Sequence, residues 1–220
     1  MDRSCAARRH EPVVPQATRG PLMTNLQVDF RGREVGDVRG VTIRAADQKD
    51  ATAIARVHID SWRTAYRGLV PDAYLAQISY EESEGTWRRI LCEGDDKRLL
   101  VAEMDDVGVV GFALGGRGRT GDPVDPAYEG ELWGIHILAE HRRQGIGRML
   151  VREVARWLAT QGMHSMFVWF LHDAAAPHFY RALGGQHLRT TKIEIGGAVL
   201  DYTAYGWLDA TMLTNGEGPP

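Results

Sequence analysis

The stretch that most constrains this chain is a short basic glycine turn, Arg142-Arg143-Gln144-Gly145-Ile146-Gly147-Arg148, set between an apolar strand and an amphipathic helix. Upstream, Glu131 to Leu138 reads as a mostly apolar strand. Downstream, Ile146, Leu150, Val154 and Leu158 recur at helical spacing, which predicts one buried stripe and a helix to about Thr160. The first turn of a helix exposes N–H groups without intrahelical partners and carries partial positive charge. Glycines let that backbone approach an anion closely, and Arg142, Arg143 and Arg148 add cations at the same spot. A pyrophosphate suits the combination. The turn lacks the terminal Gly-Lys-Ser/Thr of a Walker loop. It also lacks the third glycine and the early βαβ position of a dinucleotide fingerprint. Taken alone, it reads better as a plain strand–helix connection whose glycines relieve backbone strain, since most helix starts bind only water.

The flanking sequence supplies more. Val41 to Arg44 alternates as a strand, and Asp47 and Asp50 offer caps for a helix whose Ile54, Val57, His58, Trp62 and Tyr66 share a face. Gly68 and Pro71 break it, and two shorter helices follow at Asp72 to Ile78 and Glu81 to Leu91. Leu99 to Glu103 and Val109 to Leu114 form a hairpin around Asp105, Asp106 and Gly108, and Gly115 to Gly130 reads as a loop. Met166 to Leu171 is a strand, Ala174 to Leu183 a helix stopped by Gly184-Gly185, and Thr190 to Ile195 and Ala198 to Trp207 a last hairpin. The order predicts an α/β sheet with helices on both faces.

The chain has 220 residues with 44% hydrophobic content, enough for one core. The expected division is a flexible extension at 1–38, one domain at 39–209 and a loose tail at 210–220. A net charge of −3 gives no general attraction to nucleic acid or to an anionic membrane, so any anion site is local. No run approaches the roughly 18 apolar residues of a spanning helix. Cys5 and Cys92 have no metal-spaced companions, so neither a disulfide nor a metal site is expected, in keeping with a cytoplasmic protein.

Three segments together resemble the GNAT N-acetyltransferase superfamily. Arg142-x-x-Gly145-x-Gly147 is similar to the family's Gln/Arg-x-x-Gly-x-Gly/Ala, and Glu131 to Ile137 resembles the strand before it. Asp173-Ala174-Ala175-Ala176-Pro177-His178-Phe179-Tyr180-Arg181-Ala182-Leu183-Gly184-Gly185 resembles Asn-x-x-Ala-x-x-Phe-Tyr-x-x-x-Gly-Phe, with Asp173 for Asn and Gly185 for the aromatic. Ser61 to Gly68 is similar to the first-helix region of many bacterial members. The likeness runs from about Val41 to Trp207. It implies a mixed, mostly antiparallel sheet with a splayed strand pair, acetyl-CoA as acyl donor, and a primary amine on a small molecule, peptide or protein as acceptor. A non-catalytic acyl-CoA-binding or sensing module is the competing reading, and a homodimer is possible by analogy.

The resemblance also implies roles. Ile135, His136 and Ile137 would meet the pantetheine amides. Arg142, Arg143, Gln144, Gly145, Ile146, Gly147 and Arg148 would hold the pyrophosphate, with Asp173 and Ala176 completing the cofactor contacts. Glu131 stands eleven positions before Arg142, where histone-acetylating members carry their base, and a carboxylate among apolar residues suits proton acceptance. Tyr180 takes the position whose hydroxyl protonates the departing thiolate. His136 falls out of phase with Glu131 on the strand, which leaves it a structural or a site-lining residue. Trp62, Tyr66 and Trp87 are candidate walls of an acceptor pocket, and core positions otherwise.

Overall fold

A computed structural model describes residues 40–119, 124–171 and 175–214. The 1–38 extension, Asp122, Asp173 and the end of the tail lie outside the described residues.

Strand β1 (Val41–Ala45) is fixed at its end by Arg44. Its guanidinium donates to both Asp50 oxygens at 2.7 and 2.8 Å and to Glu103 Oε2 at 2.7 Å. Asp50 in turn accepts from the Asp47 N–H at 2.8 Å, closing a capping box over the turn that leads into helix α1 (Ala51–Ala65). One carboxylate thereby ties a strand to a helix start. The Arg44 hydrogen bonds hold the Asp50 carboxyl below the ordinary aspartate value.

Helix α1 turns its apolar stripe of Ile54, Val57 and Trp62 inward. Pro71 precedes α2 (Asp72–Gln77), and Ser79 caps α3 (Tyr80–Cys92). Strands β2 (Lys97–Met104), β3 (Gly108–Arg117) and β4 (Gly130–Ile137) continue an antiparallel meander from β1. Helix α4 (Ile146–Thr160) crosses over to β5 (Met166–Leu171), which lies parallel to β4. Then come α5 (Ala176–Ala182), β6 (Gln186–Ile195) and β7 (Ala198–Trp207). The sheet order is β1-β2-β3-β4-β5-β7-β6, with β4–β5 its parallel pair, so the expected mixed, mostly antiparallel sheet is present. Helices cover both faces. Leu132, Ile135 and Ile137 pack against α4 and α5, whereas Phe112 and Leu114 on the other face pack with α1 and α3.

Two expectations need correction. Gly115 to Arg117 is not loop but the end of β3, paired with Gly130 to Leu132. Glycine there reflects crowding rather than a turn: a Cβ on Gly115 would lie 2.4 Å from Val154 Cγ1, and one on Gly116 2.7 Å from the Trp133 indole. The packed chain also continues past Asp209, because Ala210–Leu213 forms a 3-10 turn with Ala210 and Leu213 buried against α4. Arg152 of α4 donates to the Thr214 carbonyl at 3.3 Å.

Asp50→Ala is expected to destabilise the protein by about 1–3 kcal/mol, since it removes a cap and the partner of a part-buried arginine. Because Asp50 ionises more readily when folded, its contribution is present above the ordinary value of 3.8 and is lost as the pH falls below it. Urea denaturation of both proteins at neutral and strongly acid pH, converging only in acid, is the check.

Candidate active site

The register between β3 and β4 carries one irregularity, and the site is built around it. Leu114 faces Gly134 and Gly115 faces Leu132, so Trp133 is an extra residue on β4. Such a bulge bends and twists the strand that bears it. Pairing with β5 stops at the same place: Gly130, Glu131 and Leu132 face Met166, Phe167 and Val168, and among the described residues β4 has no β5 partner after Leu132. From there β5 is paired only on its other side, with β7. The two parallel strands part, leaving Trp133 to Ile137 with an open backbone edge.

The bulge also resets the alternation. Glu131 faces Gly116 and His136 faces Phe112, and those β3 positions share a face. Glu131 and His136 therefore lie on the same side of the sheet, the α1 side, and not on opposite sides as strict alternation predicts. The available sequence signal was Gly134, a glycine inside an apolar strand.

At the far end of the opening, the glycine turn leads into α4. Arg143 (φ 64°) and Gly145 (φ 87°) both take the left-handed conformation. For arginine this is costly, and such strain concentrates at functional positions. Gly145 is the cap residue and offers no side-chain acceptor, so the first N–H groups of α4 lack the usual cap. Ile146 and Gly147 are buried, whereas Arg143 and Gln144 are exposed and Arg148 is half-buried. Arg142 behaves differently from its neighbours. It is buried and donates from Nε to the Ile137 carbonyl at 3.1 Å, bracing the turn against the end of β4.

Glu131 is buried and ion-paired. Arg119 reaches it from the β3–β4 connection and donates to both oxygens, and the Arg119 backbone N–H adds a bond of 3.1 Å to Oε2. Nothing in the glycine-rich sequence around Arg119 announces this role. His136 is fully buried between the Phe112 ring, stacked at 5.0 Å, and the His58 ring, edge-on at 4.9 Å. Its Nδ1 lies 3.0 Å from Ser61 Oγ, whose own proton goes to the His58 carbonyl at 2.9 Å. Ser61 then accepts, which assigns the proton to Nδ1 and the lone pair to Nε2. Burial foremost, with the nearby His58 and Arg142, pushes the His136 imidazole well below the ordinary 6.5, so it is neutral at physiological pH. His58 was legible only as a member of a helix face, and Ser61, three residues on, only as the start of the segment that resembles the first-helix region of many bacterial members.

Tyr180 lies inside the core under α5, its ring against Phe170 at 4.8 Å and Trp207 at 6.1 Å. Ala176, one turn earlier, is buried too. Gly185, where the family pattern has an aromatic, faces Trp207: a Cβ there would sit 2.8 Å from the indole, whose Nε1 donates to the Leu183 carbonyl at 2.8 Å. The aromatic is supplied from β7 instead. Trp62 and Tyr66 pack with Leu171 and Ile195 across the end of β5, while Trp87 belongs to the separate α1–α3 cluster and does not join them. Among the described residues no group of three or more His, Cys, Asp and Glu is arranged to hold a metal ion, and no helix is long and apolar enough to cross a membrane.

A sheet that parts beside an uncapped, basic helix start offers an open backbone edge and, at its end, N–H groups suited to an anion. Those features are what the resemblance implies for an acyltransferase that uses acyl-CoA. Known proteins agree. The profile of the acetyltransferase (GNAT) family matches residues 56–184. An uncharacterised N-acetyltransferase of Bacillus subtilis (strain 168), YuaI, is 36% identical over 173 residues, covering 79% of this chain and 96% of that protein. Among solved structures, an N-acetyltransferase from Staphylococcus aureus Mu50 superposes with a TM-score of 0.61 at 20% identity, over 77% of this chain and 98% of that one. The yncA protein of Salmonella typhimurium, a putative acetyltransferase solved with its cofactor acetyl-CoA, gives 0.57 at 22% identity, over 78% and 95%. The chain belongs to the GNAT acetyltransferase family and is an acetyl-CoA-dependent acetyltransferase.

The depressed imidazole makes a stability prediction. Folded His136 binds its proton less readily than the unfolded residue, so the native state loses stability as the pH falls below about 6.5 toward the lower folded value. The denaturation midpoint should drop over that window, and drop less in His136→Asn.

Proposed function

We propose that this chain transfers the acetyl group of acetyl-CoA to a primary amine of a small molecule, peptide or protein. The observation that carries the reading is the opening between β4 and β5 that ends at the glycine turn of α4. The yncA structure, described with acetyl-CoA, supports the choice of donor.

When bound, acetyl-CoA supplies an activated thioester carbonyl. The chain's own residues do the rest. The N–H groups of Gly145, Ile146, Gly147 and Arg148 receive the pyrophosphate, with Arg143, Gln144 and Arg148 at its flanks. Arg142 joins them at the pyrophosphate, while its Nε braces the turn against the Ile137 carbonyl. The open edge of Ile135, His136 and Ile137 receives the pantetheine amides, beside Ala176; the resemblance adds Asp173 to the cofactor contacts. Glu131 draws the acceptor's ammonium and takes its proton, leaving an amine lone pair to attack the carbonyl. The new C–N bond forms as the C–S bond breaks. The Tyr180 hydroxyl gives its proton to the departing sulfur and recovers one from solvent.

Gly145→Val forces a β-branched residue into a left-handed position. Calorimetry should find acetyl-CoA binding abolished with the circular dichroism spectrum intact; undiminished affinity refutes the cradle. Tyr180→Phe and Glu131→Gln should each lower kcat by roughly 10²–10⁴-fold with donor affinity retained. Full activity in either variant removes that residue from the mechanism.

A further inference from the structure

The carboxylate that acetyl transfer needs is already holding a cation. Arg119 Nε lies 3.2 Å from Glu131 Oε1 and 3.1 Å from Oε2, and Nη2 also donates to Oε1. The Glu131 side chain is 3% exposed, but that of Arg119 is 44% exposed. The carboxylate is a floor, and the guanidinium is a cover with one side in water. That cover also lies over an aromatic face: Arg119 Cζ is 5.5 Å from the Trp133 ring centroid, within cation–π range. Trp133 is held for this purpose. It is the bulge residue, its Nε1 donates to the Arg117 carbonyl at 3.2 Å, and its ring rests where Gly116 has no Cβ.

A buried carboxylate beside an aromatic face recognises ammonium and guanidinium groups. Leaving that carboxylate bare is the costly state, since an uncompensated buried charge is strongly destabilising. Exchanging one cation for another avoids it. The half-exposed guanidinium is the group that can leave, because it returns to water already in contact with it.

We propose that Arg119 is an internal stand-in for the acceptor, and that Glu131 with the Trp133 face forms the subsite for the acceptor's cationic group. The inference rests on the acetyl-transfer reading and narrows its substrate class. Acceptors are aliphatic amines, cationic at neutral pH, that displace Arg119 from Glu131. Arylamines, neutral at that pH, bring no replacement cation and are poor acceptors. Arg119 is a specificity-determining residue, acting through occupancy of the carboxylate.

The test uses the full chain with Arg119→Ala, and with Arg119→Gln should the alanine variant fold poorly. Guanidinium chloride and methylammonium chloride, each at low millimolar concentration and constant ionic strength, should raise the Tm of Arg119→Ala. They should not raise that of Arg119→Ala/Glu131→Gln, because a ligand stabilises only a fold that binds it. In turnover, KM for a primary alkylamine should fall about tenfold in Arg119→Ala, as expected when an internal competitor is removed. KM for acetyl-CoA should not change. Equal Tm responses in the single and double variants overturn the proposal, as does an unchanged or higher amine KM. If no amine is acetylated by the native protein while the Tm responses differ as stated, the acetyl-transfer reading fails and the cation subsite stands.

Discussion

The whole site depends on one break in backbone pairing. A parallel pair that began as an ordinary ladder lasts only from Gly130 to Leu132, because an extra residue, Trp133, bends β4 away from β5. Strands normally satisfy their N–H and C=O groups on both sides, and an unpaired stretch inside a sheet is costly unless something else meets those groups. Side chains hold the halves together where the backbone does not. Leu132, Ile135, Val168, Phe170, Tyr180 and Trp207 form one continuous core beneath the gap, in contact with α4 and α5. The opening is therefore rigidly framed, and the glycine turn stands at its end because α4 begins where β4 stops.

Two buried polar groups on the α1 face of β4 are handled in opposite ways. Glu131 is matched by the Arg119 guanidinium. His136 gives up its charge, with Ser61 fixing which nitrogen carries the proton. The imidazole beyond the bulge thus adds polarity without adding a cation. Arg142 ties the turn to the same strand, its Nε donating to the Ile137 carbonyl.

Much of the fold was readable because its signals are local. The stripe of α4, the apolar run of β5 and the capping aspartates before α1 each follow from residues a few positions apart, and each element appears where the pattern places it. The glycine turn and Tyr180 were readable through resemblance, since their spacing is a family pattern. What escaped was set by distant partners. Gly115 and Gly116 looked like loop residues, and only Val154 and Trp133, far along the chain, make them strand. The shared face of Glu131 and His136 escaped because a single inserted residue inverts the alternation of everything after it. Arg119 escaped because its partner is chosen by the register of β3 on β4. The aromatic missing at Gly185 is replaced by Trp207, a compensation between positions that no local reading connects.

The crowded glycines of β3 have an evolutionary consequence. Alanine is the mildest replacement at most sites, yet at Gly115 and Gly116 its single methyl group would collide with α4 on one face and with Trp133 on the other. Drift along this strand is closed to even the smallest step, and each neighbour is constrained in turn: an enlarged Val154 or a rotated Trp133 has nowhere to go. Change here has to come in pairs, one side chain shrinking as another grows, so relatives that depart from this run of glycines should carry a matching departure at the residue that fills the space.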